Sequence, residues 1–185
     1  MKLMNLPNSI TLLRVLLIPV CLVFLAINTP FCQLMTLIVF IFASITDWLD
    51  GYLARRNDRV TNFGKFLDPV ADKLLVLSMM IALTGLNRFP AWVCCIVLFR
   101  ELAVDGLRLV AIEQGKVIAA GSLGKIKTTL QMITLVVYLL HNRPFGSFPM
   151  DIILLVATVM MTLWSGVDYF VQNGSVLKFN KERAE

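Results

Sequence analysis

Apolar runs close to twenty residues long recur along this chain, and few folds accommodate them. "ITLLRVLLIPVCLVFLAIN" (10–28) is the first, and "LMTLIVFIFASI" (34–45) opens the second. Runs of that length match the hydrocarbon thickness of a bilayer when coiled as α-helices. Of the 185 residues, 58% are hydrophobic, against about half in a soluble domain. The expectation is an all-α, integral membrane six-helix bundle, with helices at about 10–28, 34–55, 68–87, 91–113, 124–141 and 151–172. Pro30, Pro90 and Pro149 fall in the intervening loops, as helix breakers should. No polar linker divides the chain, so residues 1–185 read as one domain. The first run is too long for a signal peptide and carries Arg14, with no clean small-x-small site after it, so it reads as a retained helix.

The net charge of +5 comes from basic residues beside apolar segments. Anionic head groups or phosphates suit such cations better than nucleic acid does. Lys2, the 55–67 loop (Arg55, Arg56, Arg59, Lys65), Lys116, Lys125, Lys127 and the tail (Lys178, Lys181, Arg183) fall on one side of a six-helix chain. Only Arg88 and Arg143 fall on the other. The positive-inside rule then puts both termini and the 55–67 loop in the cytoplasm, with the chain in the inner cell membrane. Cys21, Cys32, Cys94 and Cys95 contain no C-x-x-C pair and read as small hydrophobes. The single histidine, His141, lies in a loop and is given no role.

Against this background, "TDWLDGYLARRNDRVTNFGKFLDPVADK" (46–73) is anomalous. Asp47 and Asp50 close the second helix, in its last two turns. Asp68 and Asp72 open the third, in its first turns. Steps of three and four put each pair on one helix face, and a twelve-residue loop lets the two helices sit side by side at one depth. One reading is a partly solvated acidic edge with arginine partners. However, ionisable groups inside a membrane helix are functional by default. Hard divalent cations take oxygen ligands, and Mg2+ favours carboxylates shared with substrate phosphates. Two such ions would clamp both sides of a phosphoryl displacement. The alternating D-x-D-x-D of a calcium loop is absent. Gly51 and Ala54 are small and leave room beside Asp50; Thr61 and Gly64 sit in the connecting loop, and Arg55 offers a fork suited to phosphate oxygens. Together they favour a nucleotide diphosphate over simple helix packing.

The run Asp47-x-x-Asp50-Gly51-x-x-Ala54-Arg55, eight residues, Gly64, three residues, Asp68, three residues, Asp72 resembles the complete signature of the CDP-alcohol phosphotransferases. "NLPNSITLLR" (5–14) is similar to that family's opening segment. The resemblance implies six transmembrane helices around a cytoplasm-facing polar cavity, a homodimer, and dependence on Mg2+ or Mn2+, with two ions bound. It implies transfer from CDP-diacylglycerol to an alcohol, with release of CMP. Asp47, Asp50 and Asp68 match metal ligands, and Asp72 matches the base, which also contacts metal. Gly51, Ala54, Arg55, Thr61 and Gly64 match the CDP-binding positions, with Asn8 and Thr11 as weaker matches.

The acceptor is read from cations. Arg100 and Arg108 lie inside an apolar helix, beside Glu101 and Asp105, with which they are able to pair. Lys125 and Lys127 enter the next helix, where positive-inside anchoring is the alternative. "GSLGKIKT" (121–128) fails as a phosphate loop, because residue 119 is alanine and Lys125 precedes isoleucine. Jointly the four cations favour an acceptor carrying its own phosphate. The 100–131 stretch is similar to family members that use sn-glycerol 3-phosphate. Inositol phosphate or phosphatidylglycerol is the alternative acceptor within the family, and a divalent-cation transporter the alternative outside it.

Overall fold

A computed structural model describes residues 6–57, 62–116, 118 and 121–177; side chains at 6–8, 10, 47–57, 62–69, 72 and 177 lie outside what it describes. Six α-helices run in order: α1 (Leu6–Ile27), α2 (Pro30–Asn57), α3 (Asn62–Gly85), α4 (Ala91–Glu113), α5 (Ser122–Leu139) and α6 (Met150–Asn173). No strand occurs among the described residues.

Two boundaries differ from the sequence reading. Pro30 is the first residue of α2 rather than part of a loop. Its fixed φ suits a first helical turn, where its missing N–H has no intrahelical partner to lose. Of the expected twelve-residue loop after α2, residues 56–57 and 62–67 are helical, and residues 58–61, Thr61 among them, lie outside the described residues. α2 runs on to Asn57, and α3 starts six positions before Asp68. Gly64 is therefore in the first turn of α3, not in a loop, and Asp68 and Asp72 fall in its second and third turns. Pro69 looks like a helix start, yet the helix runs through it.

α1 packs against both α2 and α3, while α6 packs against α4 and α5. The two groups join where α5 meets α2 and α3, and where α4 meets α3. The core between them contains Cys21, Phe40, Leu75, Met79, Val93 and Leu135. α5 and α6 are also held by polar contacts: the Thr134 and Thr158 hydroxyls are 2.7 Å apart, and Gln131 Nε2 donates to Thr162 Oγ1 at 3.5 Å. Such side chains commonly join helices where no water competes. At the far end, Arg88 Nη2 donates to the Tyr138 carbonyl at 2.7 Å, a second hydrogen bond to an oxygen in the last turn of α5 that also accepts from His141 N–H at 3.1 Å. His141 lies at this end too, where burial and then Arg88 and Arg143 hold its pKa below the ordinary value.

The outward surface is apolar on every helix, with Leu16, Phe31, Ile81, Phe99, Ile133 and Trp164 all exposed. A water-facing surface would carry polar residues there; a lipid-facing one has this composition. Among the described residues, Met150–Val176 alone is both long and apolar enough to cross a bilayer uninterrupted. Among the described residues, α1–α3 also carry apolar stretches at Thr11–Ile27, Pro30–Thr46 and Lys73–Gly85. All four cysteines are free: Cys21, Cys32 and Cys94 are buried and Cys95 is exposed.

Candidate active site

At about 1.5 Å per residue, Asp50 and Asp68 stand roughly 10 Å along their helices from the ends of α2 and α3, and Asp47 and Asp72 roughly 15 Å. The acidic positions thus lie at matched distances along two helices that both pack against α1, further from the helix ends than the sequence spacing suggested.

Immediately inward lies a cleft of about 650 Å³, lined from α2 by Ser44 and from α3 by Lys73, Val76 and Leu77. Ser44 precedes Asp47 by three residues, and Val76 follows Asp72 by four. Those steps follow one helix face, so the faces that line the cleft continue to the acidic positions.

The other walls are α4, α5 and α6, and here the cation cluster assembles. Arg100, Arg108, Lys125 and Lys127, all singled out by sequence, line this one cleft. Their environments differ. Lys127 is buried and hydrogen-bonded to the Glu101 carboxylate, itself nearly buried. Arg100 Nη1 lies 3.4 Å from the same carboxylate, and its Nη2 donates to Ser165 Oγ at 3.1 Å. Arg108 Nε donates to the Tyr169 hydroxyl at 2.9 Å, with the guanidinium carbon 5.4 Å from that ring's centroid. Lys125 is exposed at the start of α5.

α6 admits these groups through its small face. Thr158, Thr162, Ser165, Gly166 and Tyr169 recur at helical spacing and are all buried. A Cβ at Gly166 would stand 3.2 Å from Arg100 Cγ, so the glycine makes room for the arginine stem.

Sequence reasoning missed Lys73, whose ammonium bonds to Asp105 and lies 3.8 Å from Glu101. Its adjacency to Asp72 was a signal, but its partners are on another helix. The expected pairing of Arg100 with Glu101 is present; Glu101, however, is a hub for three cations on three helices. Among the described residues lining the cleft, five cations face three carboxylates (Glu101, Asp105 and Asp168), two positive charges in excess.

Of the positions that the resemblance assigns to CDP, Asn8 is in the first turn of α1, Gly51, Ala54 and Arg55 in α2, and Gly64 in α3. Thr11 is buried in α1, as is Arg14 one turn on, and neither lacks a partner.

The family model for CDP-alcohol phosphatidyltransferases matches residues 4–164. The chain belongs to the CDP-alcohol phosphatidyltransferase family. The match runs from α1 into α6 and includes the acidic positions and the four cations. Among family members similar to this chain is the Bacillus subtilis CDP-diacylglycerol--glycerol-3-phosphate 3-phosphatidyltransferase, 46% identical over 94% of this chain and 97% of its own. Proteins of the same name from Rickettsia typhi and Salmonella typhimurium are each 37% identical, covering 90% and 89% of this chain and 95% and 92% of their own.

Proposed function

We propose that this phosphatidyltransferase moves the phosphatidyl group of CDP-diacylglycerol to sn-glycerol 3-phosphate, giving phosphatidylglycerophosphate and CMP. The observation that carries the acceptor assignment is the excess of two positive charges among the described residues that line the cleft beside the signature helices. A phosphate monoester is a dianion near neutral pH and matches that excess; serine or another neutral acceptor does not. The three relatives named above support the same acceptor.

Arg100, Arg108, Lys125 and Lys127 hold the acceptor's phosphate through charge-assisted hydrogen bonds. Asp72 takes the proton from the acceptor's hydroxyl, and its oxygen attacks the phosphorus that bears diacylglycerol. Asn8, Thr11, Gly51, Ala54, Arg55, Thr61 and Gly64 hold the CDP moiety, and the P–O bond to CMP breaks.

The carboxylates of Asp47, Asp50, Asp68 and Asp72 are a donor set of hard oxygens on the two signature helices, which fits Mg2+ or Mn2+. Bound there, such ions would neutralise charge on the pyrophosphate and on departing CMP. The acidic end of the bundle faces the cytoplasm, where both small molecules are dissolved, and the protein works as a homodimer in the cell membrane.

The deciding experiment is turnover of CDP-diacylglycerol by purified protein with labelled sn-glycerol 3-phosphate, inositol phosphate or phosphatidylglycerol. Product from the first acceptor alone is expected. Preference for either other acceptor refutes the assignment. Divalent-cation flux into liposomes without any turnover would favour the transporter.

A further inference from the structure

Lys73 joins two parts of the cleft that sequence keeps apart. Along the chain it directly follows Asp72, the position of the base. Across space its ammonium is bonded to Asp105 and lies 3.8 Å from Glu101. Glu101 in turn holds Lys127 and sits 3.4 Å from Arg100, two of the cations assigned to the acceptor's phosphate. α3, α4 and α5 are thus tied by one chain of ionic contacts, running from the base's neighbour to the phosphate cluster. Lys73 is half-buried, and Glu101 and Lys127 are buried. Ionic contacts taken out of water in this way are favourable only when their geometry is good, and so are suited to fixing a distance.

We infer that Lys73, clamped by Asp105 and Glu101, is a positioning residue that sets the span between the base at Asp72 and the phosphate cluster. It thereby selects acceptors by the length between reacting hydroxyl and phosphate. In sn-glycerol 3-phosphate three carbons separate the two groups. An acceptor one carbon longer brings its hydroxyl past the base when its phosphate is seated. This inference rests on the proposed function and adds residues that touch neither the reacting atoms nor, of necessity, the phosphate. A misplacement of about 1 Å costs on the order of a hundred-fold in rate, so a loosened clamp is visible in kcat.

The test compares Lys73→Met, Asp105→Asn and the double variant with the unmodified protein in detergent. Each is assayed with 3-hydroxypropyl phosphate and with 4-hydroxybutyl phosphate, which differ from each other in length alone, beside sn-glycerol 3-phosphate. We expect the unmodified protein to favour the three-carbon acceptor strongly. Each single variant should lose ten-fold or more in kcat on that acceptor, with little change in the KM for CDP-diacylglycerol. Each should also narrow the preference between the two acceptors. The double variant should be no worse than Lys73→Met, which already removes the contact with Asp105. Lys73→Arg keeps a cation and should restore much of the rate, which separates positioning from a general loss of fold.

Equal losses on both acceptors, additive losses in the double variant, or an unchanged kcat would overturn the assignment. If Lys73→Met does not fold, Asp105→Asn and Lys73→Arg still read the acceptor ratio, and a ratio unaltered in Asp105→Asn is itself decisive against it. Unmodified protein that does not turn over sn-glycerol 3-phosphate overturns the proposed function, and this inference with it. Normal turnover with insensitive variants overturns this inference alone.

Discussion

Arg108 is held by Tyr169 in two ways: Nε donates to the phenol oxygen at 2.9 Å, and the guanidinium carbon lies 5.4 Å from the ring centroid. The remaining N–H groups of the fork stay available to an incoming anion. Arg108→Gln should therefore raise the KM for sn-glycerol 3-phosphate about ten-fold or more, since a hydrogen bond to a charged group contributes roughly 1.5–3 kcal/mol. The KM for CDP-diacylglycerol should barely move. Tyr169→Phe removes the hydroxyl but keeps the ring, and should give a smaller rise in the same constant. Steady-state kinetics in mixed micelles check both.

Glu101 and Lys127 form a pair largely out of contact with solvent. Removing one partner strands the other, which typically costs about 3–5 kcal/mol. Glu101→Gln should lower the melting temperature in detergent measurably. Adding Lys127→Met should recover most of that loss, because a buried pair replaced by uncharged groups is often neutral in stability. Activity should not recover, since the cleft has lost a cation. A double variant no more stable than Glu101→Gln would show that the pair is not the source of the cost.

Gly166 packs directly against the stem of Arg100. Gly166→Ala introduces a contact at 3.2 Å that the Arg100 side chain must yield to. The expected result is a several-fold rise in acceptor KM with near-normal stability. Gly166→Leu should be far more severe. Normal acceptor kinetics in Gly166→Leu would mean that Arg100 does not engage the acceptor.

Asp47→Ala and Asp68→Ala should abolish turnover while leaving the protein folded, because each relieves repulsion within a carboxylate cluster. Asp72→Asn should slow the chemical step by roughly 10²–10⁴-fold, the usual range for a general base, with CDP-diacylglycerol still bound. Single-turnover rates and donor binding distinguish these outcomes. A loss of only several-fold in Asp72→Asn would assign the proton to another group.

Chelation should stop turnover, and Mg2+ or Mn2+ should restore it in the unmodified protein but not in Asp47→Ala. Full activity after exhaustive chelation would refute the metal assignment.

The sequence by itself determined the helices and the family. Apolar runs of bilayer length leave little choice but α-helix, because in lipid each backbone N–H and C=O needs an internal partner. α4 lies at 91–113 as its apolar span implied. The spacing of the aspartates was legible because residues three or four apart share a face whatever the tertiary fold. The start of α3 was misplaced: Pro69 and the charged stretch before it look like a loop, but the helix extends to Asn62. Partner choice was settled only by tertiary structure. Glu101 has Arg100 as its chain neighbour, but it also faces Lys73 and Lys127, 28 and 26 residues away in sequence. Arg108 faces Tyr169 across 61 residues. No periodicity in one helix encodes which face of another it will meet. Those pairings follow from how α3, α4, α5 and α6 pack, and out of water a charge left without a partner is costly enough for packing and pairing to be fixed together.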